Sequence, residues 1–162
     1  MKRLAERTSI PAKTSGKWTS SRTNILIRGV HRKAAKHREA LRALRILRGQ
    51  GHRICIVPQN LYEFWAVATR LLESNGLGLT PAQSDRITSR FENLCLVLRD
   101  PPELYDEWRR LVLANNVLGK KSHDARLVAA MRLHGIQHIL TFNYADFARY
   151  PDIAAIEPHT VV

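Results

Sequence analysis

The chain has 162 residues, 44% of them hydrophobic and 25% charged, which suits one domain with a core of useful size. No apolar run approaches the roughly 18 residues of a membrane span, and the first residues lack the apolar stretch of a secretory signal, so a cytoplasmic protein without membrane attachment is expected. Cys55 and Cys95 stand far apart, with no CxxC and no metal-type His spacing, which argues against a zinc site or a disulfide framework.

The formal net charge is +12, and it is unevenly spread. Residues 1–53 carry 15 basic and 2 acidic side chains, whereas residues 54–162 carry 11 and 12. All the excess positive charge therefore lies in the first third. Such a field attracts polyphosphate chains or acidic proteins without choosing between them.

In chain order, residues 1–22 are rich in Lys, Arg, Ser and Thr and show no periodicity. They read as a basic extension, disordered, poorly docked or non-native, ahead of a domain spanning 23–158. Ile25-Leu26-Ile27 suits either a short strand or a first helical turn. Residues 34–48 form an amphipathic helix, with Ala40, Ala43, Leu44 and Leu47 on one arc and Arg38, Arg42 and Arg45 on the other. Residues 54–57 read as a buried strand stopped by Pro58, and 59–73 as a second helix. Thr80-Pro81-Ala82-Gln83 is a capping box with Pro at the first helical position. It opens a helix to about residue 93, followed by a strand over 94–98. A helix begins near Asp100-Pro101-Pro102-Glu103, and another spans 122–134, closed by Gly135. A strand over 138–141, a helical turn within 144–150 and a strand over 153–156 complete the chain.

Helices alternating with short buried strands predict an α/β fold, a three-layer α/β/α arrangement around a short, mostly parallel sheet. Ligand sites in such sheets lie beyond the carboxyl ends of the strands. Glu63, Asp124 and Asp146 each fall there, after a different element. Taken singly, Glu63 could be an exposed edge residue, Asp124 a carboxylate offsetting a helix dipole, and Asp146 an Asx turn or cap. Taken together, three converging carboxylates suit a hard cation such as Mg²⁺ or Mn²⁺, bound through oxygen to position a water and neutralise a phosphodiester. Trp65 and Trp108 have the spacing of core residues. His123 reads as a polar neighbour. The Arg38/Arg42/Arg45 stripe suits either a phosphate backbone or plain solvent.

Three stretches carry a more specific signal. Pro58-Gln59-Asn60-Leu61-Tyr62-Glu63-Phe64-Trp65-Ala66-Val67-Ala68-Thr69-Arg70, with Asn75-Gly76-Leu77-Gly78-Leu79 after it, resembles the second acidic motif of PIN-domain nucleases. His123-Asp124-Ala125-Arg126-Leu127-Val128-Ala129-Ala130-Met131 resembles their third, and Leu140-Thr141-Phe142-Asn143-Tyr144-Ala145-Asp146-Phe147 their fourth. The likeness is closest to toxin ribonucleases of the VapC type, and it implies a PIN-like fold with Mg²⁺-dependent cleavage of RNA. It further implies a cognate antitoxin partner and a homodimer. Carried over by position, Glu63, Asp124 and Asp146 become the metal and catalytic carboxylates. Asn24, Thr141 and Asn143 become polar contacts near the phosphate or metal. The departure is at the front, where the family's Asp-Thr-Asn is replaced by Arg22-Thr23-Asn24. Arg22 puts a fixed positive charge where the first acidic ligand belongs, so the implied endoribonuclease is expected to be impaired. The alternative is a catalytically inactive PIN-like module that binds antitoxin or RNA.

Overall fold

A computed structural model of the chain describes residues 17–162. Five strands form one sheet: β1 (Trp18–Ser21), β2 (Arg53–Ile56), β3 (Leu96–Val97), β4 (His138–Leu140) and β5 (Ala154–Ile156). Their order across the sheet is β3-β2-β1-β4-β5, and every pairing is parallel. Six α-helices connect them: α1 (Thr23–Val30), α2 (His37–Gly49), α3 (Pro58–Ala68), α4 (Pro81–Leu94), α5 (Leu104–Ala114) and α6 (Lys121–Leu133).

Alternation along each strand decides which helices cover which face. Cys55 and Ile139 point into one cluster with Leu104 and Leu111 of α5 and Leu127, Val128 and Met131 of α6. Ile54 and Leu140 point the other way, onto Ile25 of α1 and Ala40, Ala43 and Leu47 of α2. Ile56 shares that second face with Leu26, Phe64 of α3 and Phe91 of α4. The result is the expected three-layer α/β/α sandwich, with every strand pair parallel rather than most.

The main correction falls at the N-terminus. Residues 18–21, read from sequence as part of an undocked extension, form β1 at the centre of the sheet. Thr19 pairs with Ile54 on one side and His138 on the other, and Arg53 N and Arg22 N carry the ladder to Lys17 O and Leu140 O at 2.8 and 3.1 Å. Backbone ladders need only N–H and C=O groups, and Thr and Ser are small enough to lie under both helical layers. The domain thus begins by residue 17, not at 23. The remainder of the proposed extension, 1–16, lies outside the described residues.

Other differences are local. Ile25-Leu26-Ile27 is helix, inside α1. The second helix ends at Ala68 instead of 73, where the chain turns back over it. Leu77 N and Leu79 N bond Val67 O and Ala68 O at 3.0 and 2.8 Å. Gly76 permits that return, because a Cβ there would lie 2.0 Å from Arg70 O. The strand expected at 94–98 shrinks to Leu96–Val97, since α4 runs on through Leu94. No helix among the described residues is long and apolar enough to cross a membrane.

Candidate active site

The sheet order reverses direction at β1, whose neighbours are β2 and β4. A cleft of about 490 Å³ opens beyond the carboxyl ends of these strands, lined by Arg22, Glu63, Lys120, Lys121, His123, Asp124, Asn143 and Asp146. The placement follows the rule for open parallel sheets, in which ligands sit where the topology switches. All three carboxylates singled out from sequence line this one cleft.

Each is delivered by a different element. Glu63 lies in the second turn of α3, where Thr23 Oγ1 donates to its Oε2 at 2.6 Å and Gln59 Nε2 to its Oε1 at 2.8 Å. Asp124 lies in the first turn of α6 and is buried. Asp146 closes the short turn Tyr144–Asp146 after β4. Arg22 follows β1 directly and is the residue preceding α1. Its guanidinium donates to Asp124 Oδ1 through one nitrogen and to Asp146 Oδ2 through the other, the latter at 3.1 Å. It also stacks over Phe147, 5.5 Å from the ring centroid. With the Asn143 amide oxygen turned toward it, Arg22 donates there too, at 3.1 Å.

Burial pushes the Asp124 carboxyl above its ordinary range; Arg22 opposes that rise, and Asp146 and Glu63 add to it. Desolvation outweighs the guanidinium because the carboxylate is shielded from water while the cation is shared with a second carboxylate. Over the whole cleft the charges balance, with Glu63, Asp124 and Asp146 facing Arg22, Lys120 and Lys121.

The three polar residues named beside the carboxylates have distinct places. Asn143 is exposed and lines the cleft. Thr141 is fully buried behind it, and its hydroxyl accepts from Asn143 N at 3.0 Å and from Asn24 Nδ2 at 3.4 Å. Asn24 and Thr141 therefore brace the loop that carries Asn143.

Sequence reading missed Gln59, which ties α3 to α6. Its amide donates to Glu63 and to His123 O, both at 2.8 Å, and its oxygen accepts from Arg126 at 3.0 Å. Arg126 in turn reaches Asp100 Oδ2 at 2.6 Å. The i, i+4 spacing of Gln59 and Glu63 on α3 was the available signal. Lys120 and Lys121, just ahead of Asp124, were legible only as surface charge.

No protein-family model matches the sequence, and no curated protein matches it. Solved structures do. VapBC2 from Rickettsia felis, bound to a DNA fragment from its promoter, superposes with a TM-score of 0.64 at 14% identity, covering 86% of this chain and 98% of that one. DNA-bound VapBC from Salmonella typhimurium gives 0.62 at 18% identity, covering 88% and 98%. The fold is that of the VapC-type toxins. A third VapC-type structure is VapC20 of Mycobacterium tuberculosis, a sarcin–ricin-loop-cleaving toxin. It gives 0.56 at 18% identity, covering 75% of this chain and 86% of that one.

On this VapC-type fold, three carboxylates are the donor type that a hard divalent cation takes. With the guanidinium of Arg22 among them, the arrangement does not fit a metal ion. Among the described residues no group of three or more His, Cys, Asp or Glu side chains is placed to hold one.

Proposed function

We propose that the chain is a toxin-type endoribonuclease domain, acting on RNA in the cytoplasm with an antitoxin partner, whose hydrolytic activity is impaired by Arg22. One observation carries this reading: the Arg22 guanidinium bonds both Asp124 and Asp146 inside the cleft. A fixed monovalent cation there occupies the lone pairs that Mg²⁺ or Mn²⁺ would need and opposes a second cation by charge. Glu63, Asp124 and Asp146 are the residues that would take the metal once the guanidinium leaves. A homodimer belongs to the same reading, supported by the exposed apolar side chains of Tyr62, Trp65, Leu71 and Leu72 on and after α3.

The same contact favours a second reading, a non-catalytic module that keeps its binding surfaces. Arg22→Asp separates the two. It changes the local charge by two units, and a unit charge about 4 Å away is worth about 4 kcal/mol at an effective dielectric near 20, before desolvation. Mn²⁺ affinity by calorimetry should rise at least about tenfold, with RNA cleavage appearing alongside and vanishing again in Arg22→Asp/Asp124→Asn. If Arg22→Asp folds and binds Mn²⁺ no better than the parent, the ribonuclease reading yields to the binding module.

A further inference from the structure

The excess positive charge of the first third has a definite address in the fold. Arg32, Lys33 and Lys36, in the turn before α2, and Arg38, Arg42 and Arg45 on α2 are all exposed. None of the six forms an ion pair with a carboxylate among the described residues. On α2 the three arginines recur every three to four residues along roughly 10 Å of helix axis, opposite the buried Ala40, Ala43 and Leu47. Lys36 joins this face to the cleft: its ammonium lies 4.8 Å from the Phe142 ring centroid, and the next residue, Asn143, lines the cleft.

We propose that the exposed face of α2 and the turn before it form a track for the phosphates of single-stranded RNA running into the cleft beside Asn143. This rests on the ribonuclease reading for the identity of the polyanion, and on charge and continuity for the path. A protein partner would need apolar anchors at the centre of its contact, and α2 exposes a single large one, Leu41. An A-form duplex keeps its base edges in a deep, narrow major groove and its backbone stiff, whereas a single strand can bend along the stripe and into the cleft. The balanced charge of the cleft itself lets the strand enter past the three carboxylates.

Binding can be measured without cleavage, by fluorescence anisotropy of the full chain in EDTA with an unstructured RNA of about 16 nucleotides. Arg38→Glu/Arg42→Glu/Arg45→Glu should weaken binding at least about tenfold. The slope of log affinity against log salt should become shallower by about 2, from three contacts at about 0.7 each. The corresponding Gln variant should fall between, and circular dichroism should show both folded. Arg70→Glu/Arg86→Glu/Arg109→Glu makes the same change in net charge at exposed sites after α3 and on α4 and α5, and should alter affinity less than about threefold. Equal weakening by the two Glu variants overturns the track, as does an unchanged slope in the α2 variants. Binding of polyglutamate or duplex DNA as tight as that of RNA overturns the choice of partner. If the parent binds RNA on this face but Arg22→Asp never cuts it, the ribonuclease reading fails while the track stands.

Discussion

Arg22 neutralises two carboxylates that would otherwise repel each other in a half-closed cleft. Its side chain is 18% exposed, against 11% for Asp124 and 25% for Asp146, so water screens the contact only in part. Removing one partner of a buried pair leaves charge without compensation. Arg22→Ala should therefore lower stability by about 3 kcal/mol near neutral pH, read from urea denaturation, and a loss within error would count against the contact. Added Mn²⁺ should recover part of that loss in the variant by binding only the folded state, while leaving the parent unmoved.

Asp124 also gives this site a pH dependence whose sign is fixed. Its raised carboxyl value means that the folded chain keeps the proton over a range where the unfolded chain has lost it. The contribution to stability is fully present in acid, declines as pH rises from the unfolded carboxylate value through the folded one, and is flat above. Because Arg22 pulls that value down, Arg22→Ala should move it further up. An NMR titration of the Asp124 carboxyl in parent and variant checks this, and an unshifted midpoint would contradict it.

At the scale of elements, β1 is the most unusual piece of the chain. Central strands of parallel sheets are usually runs of Val, Ile and Leu, yet here Thr19, Ser20 and Ser21 are all buried. Thr19 Oγ1 bonds His52 Nδ1 at 2.7 Å, but the Ser20 and Ser21 hydroxyls have no partner. A buried hydroxyl without a hydrogen bond costs about 1 kcal/mol or more. Ser20→Ala and Ser21→Ala should each stabilise the fold by about 1 kcal/mol, seen as a higher urea midpoint at unchanged slope. Destabilisation by both would mean that the hydroxyls do find partners. Hydrophobic patterning overlooked this strand for the same reason that the substitutions should help. The side chains contribute little, and pairing on both edges holds the strand in place. By contrast, α4 was legible at its start because its cap is local. Thr80 Oγ1 accepts from Gln83 N at 3.2 Å, and Gln83 Oε1 from Thr80 N at 2.8 Å.

At the scale of the whole molecule, β1 separates β2 from β4, and each pairs with it rather than with the other. A chain starting at Thr23 would lose the ladder at both inner edges and Arg22 from the candidate site. It should show no cooperative urea transition. A transition matching that of the full chain would return β1 to the status of a dispensable extension.

Composition and local pattern determined the α/β class, most helices and the identity of the three carboxylates, because these rest on periodicity, caps and residue type within a few positions. They also located the positive charge, though not its path. Tertiary structure decided the rest. Whether residues 18–21 are strand depends on distant partners, since Thr19 pairs with Ile54 and His138. Whether Glu63, Asp124 and Asp146 meet depends on the topology of the sheet, and what lies between two of them depends on where β1 ends. The sequence places a single positive charge at position 22; only the pairing of β1 with β4 aims that guanidinium at two carboxylates more than a hundred residues further along.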